Sequence, residues 1–389
     1  MISLHEPSFT GNEWKYVKKC LDQGWVSSAG KYVNLFEEKI KKYTGAKYAV
    51  ACLSGTAALQ ISLKLAGVRM DNEVIVPSLT FIAPVNAINY NNANPIFMDN
   101  DDYYTIDVNK TIEFLNKKTR TILRKQLPIT VNKKTGKHIV ALIVVHLFGN
   151  AVKLDRLVNL CKKKNIALIE DAAESIGTFY TLDKFKKKHT GTIGIIGCLS
   201  FNGNKIITTG GGGMILTNSR KIAKEAKYLT TQAKDDPIYS IHNEVGYNFR
   251  LPNILAALGL AQLEFLSKYI KKKKIIHERY KKKINKIKYL SISNTPYYAS
   301  CNCWLNILEI NKNLSKKRLS KIIKYFSKNN IEVRPLWHPN HLQKKYKNCQ
   351  TYKLDKINNI YKNRLCLPSS PQLTRGQQNF ICKKLKNIF

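Results

Sequence analysis

Apolar residues follow two rhythms along this chain. From Tyr48 onward, short apolar runs alternate with longer stretches in which apolar positions recur every three or four residues. The short runs, at 48–53, 73–77, 95–99, 139–145 and 166–170, predict strands. The stretches at 57–65, 83–90, 108–116 and 154–163 predict helices. Strands and helices in alternation build a mostly parallel sheet covered on both faces. Two amphipathic helices are expected ahead of it. One spans 8–24 with Trp14, Val17 and Leu21 inward, and the other spans 33–43 with Leu35, Phe36 and Ile40 inward. Beyond the sheet strands lie an apolar segment at 193–199, a strand at 214–217, a helix at 220–230 and a long helix at 254–284, apolar first and very basic later. After 289 the pattern changes. Alternation over 304–310 and a run at 331–335 predict strands, and 316–329 and 375–387 predict helices. The expected fold class is therefore α/β. A large, mostly parallel sheet domain over 1–262 is joined by the long helix to a smaller α+β domain over 263–389. A basic excursion at 117–137, turning near Asn132–Gly136, predicts a surface hairpin.

Composition changes this picture little. The chain has 389 residues and 44% apolar content, enough for a large core. No apolar run approaches the roughly 18 residues of a membrane span, and Met1 to Pro7 shows no secretory pattern, so the cytoplasm is expected. The nine cysteines are scattered without a C-x-x-C pair, which predicts free thiols and no metal site. The net charge of +39 comes mostly from lysine runs such as 162–164, 186–188 and 271–274, which predict solvated faces. Such a charge also fits a regulatory or nucleic-acid-binding protein. The chain carries none of the aromatic–basic interleaving or finger spacing that nucleic-acid recognition uses. A phosphate-bearing small ligand would gain from the same field.

Four local features carry candidate chemistry. Lys205 closes Ser200-Phe201-Asn202-Gly203-Asn204-Lys205, a polar turn after an apolar segment, unlike the clustered lysines. A lysine amine is a nucleophile only when unprotonated. The surrounding glycines do not make a phosphate loop, because G-x-x-x-x-G-K-[ST] is absent and Gly210 to Gly213 precede a strand. Asp171 follows a strand and could hold a protonated ring nitrogen, or simply cap a helix. Ser54-Gly55-Thr56-Ala57 turns from a strand into a helix and offers free N–H groups to an anion, or is a plain capping turn. Phe81 lies past another strand and could stack on a flat ring, or belong to the core. His338 and His341 form an H-x-x-H on a proline-containing loop, where a polar loop explains them as well as a metal would. Taken together, an anion site, a stacking aromatic, an aspartate at a strand end and a lone lysine are the parts of a pyridoxal phosphate pocket.

The chain resembles the DegT-like sugar aminotransferases, which are fold type I pyridoxal phosphate enzymes. The resemblance runs through Gly24-Trp25-Val26-Ser27-Ser28, Ser54-Gly55-Thr56-Ala57-Ala58-Leu59, Pro77-Ser78-Leu79-Thr80-Phe81, Glu170-Asp171-Ala172-Ala173-Glu174-Ser175, Ser200 to Lys205 and Gly246-Tyr247-Asn248-Phe249-Arg250. It is closest to the aminotransferases of the UDP-N-acetylbacillosamine and legionaminic acid routes, through Gly11-Asn12-Glu13-Trp14, the excursion at 132–137 with His146-Leu147-Phe148-Gly149-Asn150, and His242 to Asn248. The resemblance implies that Lys205 carries pyridoxal 5′-phosphate as a Schiff base and shuttles the proton. It implies that Asp171 pairs with the ring nitrogen, Phe81 stacks on the ring, and Glu174 lies near the ring hydroxyl. Thr56, Ala57 and Ser200 would hold the phosphate, with Asn248 reaching in from the second subunit of a homodimer. Trp25, Ser27 and His338 would touch substrate. The implied reaction moves an amino group from glutamate to C4 of a 4-keto-6-deoxy nucleotide sugar, UDP-linked and N-acetylated at C2, with GDP- or dTDP-linked sugars as alternatives.

Overall fold

The computed structural model describes residues 1–124, 126–236, 238–312 and 314–389. Eight strands form the main sheet. Across it they run Tyr48–Cys52, Gly213–Thr217, Ile196–Ser200, Ala167–Asp171, Ile139–Val145, Glu73–Pro77, Asn94–Met98 and Thr351–Tyr352. Gly213–Thr217 runs antiparallel to both neighbours, and the other pairings from Ile196–Ser200 outward are parallel. The strands of Ile139–Val145 and Glu73–Pro77 are buried along their whole length, because helices cover both faces. One core layer holds Phe36, Leu59, Leu199 and Phe201, and the other holds Ile96, Phe114, Leu142 and Leu157.

A second, four-stranded antiparallel sheet runs Leu290–Ile292, Asn306–Ile310, Arg364–Leu367, Arg334–Pro335. It has its own core, in which Tyr280, Leu308, Phe326 and Ile381 are buried. The C-terminal part also returns to the main sheet, where Thr351–Tyr352 adds the edge strand.

Several expectations are corrected by packing. The first helix spans Glu13–Asp22, with Trp14 73% and Leu21 54% exposed, whereas Glu13 and Cys20 are buried. The helix turns this face inward because Glu13 Oε1 accepts a hydrogen bond from Gln262 Nε2 at 2.6 Å. In the second helix, Lys31–Thr44, Phe36 and Ile40 are buried but Leu35 is exposed. The long helix is two, Asn253–Glu264 and Leu266–Ile284, divided at Phe265. The first segment packs in the main core and much of the second in the smaller one, so the helix divides where the cores meet. The excursion is a hairpin of Thr119–Arg124 and Leu127–Asn132, with Lys125 outside the described residues. Its base is anchored by Asn132 Nδ2 and Thr135 Oγ1, which donate to the two oxygens of Glu73 at 2.8 and 2.9 Å. Glu73 opens its strand, so the hairpin sits at the amino edge of the sheet. No described helix is long and apolar enough to cross a membrane.

Candidate active site

Parallel pairing brings the carboxyl ends of the strands to one edge, where α/β sheets gather ligands. Val145 pairs with Asp171, Asp171 with Cys198, and Ser200 with Gly213, which in turn pairs with Cys52. This register places Asp171, Ser200 and the start of the helix Gly55–Leu65 side by side. They line one cleft of about 820 Å³, together with Thr56, Phe81, Glu174, Lys205 and Trp304.

The helix start is packed directly against the strand ends. A Cβ on Gly55 would lie 2.9 Å from the Ser200 Cβ, and one on Gly213 would lie 2.4 Å from the Ser54 carbonyl carbon. Only glycine allows this approach. Ser54 Oγ accepts the Ala57 N–H at 3.1 Å. Among the described residues the Gly55 and Thr56 N–H groups have no acceptor, as the first turn of a helix leaves them. Free N–H groups, a helix dipole and the Ser200 hydroxyl form a cup for an anion. Thr80 Oγ1, also in the cleft, is buried without a partner among the described residues.

Lys205 follows the strand Ile196–Ser200 by a tight turn closed by its own N–H donating to Asn202 O at 2.9 Å. Its side chain is 12% exposed and its Nζ lies 3.4 Å from Glu174 Oε1. The amine sits 4.1 Å from the centre of the Trp304 ring, and the Trp304 indole N–H donates to Asn204 O at 2.9 Å. The ring thus fixes both the amine and the turn that carries it.

Asp171 is the last residue of its strand rather than the first beyond it. It is buried, with Oδ1 accepting the Ala173 N–H at 3.0 Å. Burial pushes its carboxyl above the usual range, against the Ala173 N–H and the charges of Lys205 and His146. Glu174 is pushed up to about 7 by burial, with Lys205 and the Phe148 N–H opposing. The Phe148 N–H donates to its Oε2 at 2.7 Å, from a residue held at φ 57°.

Because the folded value of Glu174 lies above the ordinary 4.5, the apoprotein holds a proton there that the unfolded chain has released. That contribution is complete below pH 4.5 and is lost as pH rises to about 7. Across this window it amounts to roughly 3 kcal/mol, at about 1.4 kcal/mol per unit. Glu174→Gln is expected to flatten this part of the pH dependence of apoprotein melting. An unchanged slope would show that Glu174 is not the group titrating.

The neighbouring Glu170 holds the edge in place. It accepts the N–H groups of Gly191, Ile193 and Gly194 at 2.8, 2.6 and 2.6 Å and pairs with His146 Nε2 at 2.9 Å. Burial opposes its ionisation, but the bond and charge of His146 and these N–H groups outweigh it and lower its pKa.

Phe81 precedes the helix Ile82–Tyr90, with 53% of its surface exposed, and meets Trp337 edge-on at 5.6 Å. Other predicted residues are not in this cleft. Trp25, Ser27 and Asn248 lie exposed elsewhere on the chain, and Asn248 bridges to Thr231. His338 is exposed beside Tyr361, although its neighbour Trp337 lines the cleft. His341 is buried with Nδ1 at 2.6 Å from Ser78 Oγ and Nε2 at 3.1 Å from Asn358 Oδ1. No cluster among the described residues could hold a metal ion. Trp304 was invisible as a site residue, since it lies in the expected strand 304–310. The strand begins only at Asn306, which frees the indole. The run 271–274 is not wholly solvated either. Lys273 is buried and donates to Ser369 O at 2.5 Å, and burial lowers it to about 7.

Known proteins share this architecture. The chain is 35% identical over 395 residues to EpsN of Bacillus subtilis, covering 100% of this chain and 96% of that protein. It is 33% identical over 390 residues to GDP-perosamine synthase of Escherichia coli O157:H7, covering 100% and 98%. A crystal structure of a DegT DnrJ EryC1 StrS aminotransferase from Brucella abortus superposes with a TM-score of 0.84 at 25% identity, covering 97% and 95% of the two chains. The model of the DegT/DnrJ/EryC1/StrS aminotransferase family matches residues 7–386, and the chain belongs to that family.

Proposed function

We propose that this protein is a pyridoxal 5′-phosphate-dependent aminotransferase that moves an amino group from glutamate to C4 of a 4-keto-6-deoxy nucleotide sugar. The observation that carries the reading is the cleft itself. Lys205 faces Glu174 at 3.4 Å, with Asp171 and the free helix start of Gly55 and Thr56 in the same lining. The residues fit the cofactor. The helix start and Ser200 suit its phosphate, Asp171 its ring nitrogen, Glu174 its ring hydroxyl, and Phe81 a ring face. Bound there, pyridoxal 5′-phosphate supplies an electron sink for the carbon that loses or gains a proton.

The chain's residues do the rest. Asp171, ionised by a positive partner, keeps that partner protonated. Lys205 would hold the cofactor, and its amine would carry a proton to or from the reacting carbon. Phe81, Trp304 and Trp337 line one side of the cleft in edge-on and tilted contact. We assign Asn248 to the site of a partner subunit in a homodimer, which agrees with its exposure outside its own cleft. Nine free cysteines, eight of them buried, suit a reducing compartment, so we place the enzyme in the cytoplasm.

Two nucleotide readings stand. The motifs from Gly11 to Asn248 favour a UDP-linked, N-acetylated sugar. The full-length likeness to GDP-perosamine synthase favours a GDP-linked one. A panel of UDP-, GDP- and dTDP-linked 4-keto-6-deoxy sugars with glutamate, followed by 2-oxoglutarate release, separates them. One nucleotide is expected to exceed the others by at least about tenfold in kcat/KM, the discrimination that a few matched hydrogen bonds provide. Transamination of amino acids alone, with no sugar turned over, would sink the proposal.

A further inference from the structure

The N-terminal segment is fastened along the small sheet beside the cleft and presents a histidine with no partner. The Ile2 N–H donates to Asn330 O at 2.7 Å, and the Glu332 N–H donates back to Ile2 O at 2.9 Å. The Leu4 N–H donates to Glu332 Oε2 at 2.9 Å, and Leu4 O accepts the Ser369 N–H at 2.8 Å. The Glu6 N–H donates to Ser370 Oγ at 2.8 Å. The backbone on both sides of His5 is therefore fixed, and the side chain lines the cleft that holds Lys205 and Trp304. Both ring nitrogens are buried, and neither has a partner among the described residues.

A buried polar group left unbonded costs about 1–3 kcal/mol, so an imidazole held this way by its own backbone calls for a ligand group. The kind of group follows from the charge state. Burial, with Lys273 and Lys205 nearby, lowers the His5 pKa well below its ordinary value, so the ring is neutral. A neutral imidazole has one donor and one acceptor. The polar substituents of a sugar ring include both donors and acceptors, so two neighbouring ones can serve the two nitrogens. A carboxylate of the amino donor only accepts and would leave one nitrogen unpaired.

We propose that His5 is a sugar-contacting residue, hydrogen-bonded to polar ring substituents of the nucleotide sugar and selecting their configuration. The proposal rests on the function proposed above.

The test is calorimetric titration of the cofactor-loaded enzyme, without glutamate, using the 4-keto nucleotide sugar turned over best in the panel. His5→Ala is expected to weaken sugar-nucleotide binding by about tenfold, the loss of one net hydrogen bond. Free UDP and GDP should bind both forms alike, and the glutamate half-reaction, read from the cofactor spectrum, should keep its rate. His5→Asn, which has both a donor group and an acceptor group, should recover most of the affinity. If His5→Ala does not fold, His5→Phe keeps the ring without its nitrogens and is expected to show the same loss. Equal sugar affinity in wild type and variant would overturn the proposal, as would an equal loss for free nucleotide or a slowed glutamate half-reaction. Wild-type enzyme that turns over none of the keto sugars would instead overturn the functional reading.

Discussion

Lys205→Ala is expected to remove the visible absorption band of the bound cofactor and to lower sugar transamination by at least about 10³-fold, within the range a positioned acid–base group contributes. The effect is large because nothing nearby can substitute. The Lys205 amine is held between Glu174 at 3.4 Å and the Trp304 ring at 4.1 Å. Lys273, the one buried lysine among the described residues, is tied to Ser369 O. Lys205→Arg makes the sharper control. It keeps a cation beside Glu174, and so the local charge balance, but a guanidinium stays protonated and cannot act as nucleophile or base. Both variants are expected to be inactive, with Lys205→Arg melting closer to wild type. Turnover above a tenth of wild type in Lys205→Arg would show that Lys205 contributes charge alone.

That Lys205, Asp171, Phe81 and the turn Ser54–Thr56 share one cleft was legible in the sequence for a simple reason. Each sits at the carboxyl end of an apolar run or in the turn beyond it, and parallel pairing brings those ends to one edge. What was not legible depends on contacts distant in sequence. Trp304 reaches Lys205 across 99 positions of chain, and His5 reaches the cleft only because the N-terminal segment is tied to Glu332, Ser369 and Ser370. Periodicity marks an apolar face but not the partner that covers it, so it put Trp14 and Leu21 inward where Glu13 and Cys20 are buried. The break at Phe265 carries no glycine or proline. It follows from two cores claiming successive parts of one helical stretch.

Asp171→Asn separates a functional carboxylate from a structural one, because the two roles predict opposite signs for stability. Asparagine keeps an oxygen for the Ala173 N–H, so the local turn survives the change. It cannot ionise, so the partner on the cofactor loses its counter-charge. Activity is expected to fall by about 10²–10³-fold, the usual effect of removing one preorganised electrostatic contact. The apoprotein should move the other way. Burial raises the folded pKa of Asp171 above the ordinary 3.8. Between the unfolded and folded values the folded chain binds the extra proton, so wild-type stability falls as pH rises through that window and stays low above it. The amide carries no such penalty. At pH 7 cofactor-free Asp171→Asn is expected to melt at or above wild type, and the pH-dependent loss starting near 3.8 should shrink. Asp171→Ala, which also loses the Ala173 contact, should be inactive and melt below the asparagine variant by the equivalent of about 1 kcal/mol. A drop in apoprotein melting for Asp171→Asn, or wild-type turnover in it, would make Asp171 a structural cap and leave the ring nitrogen without a partner in this cleft.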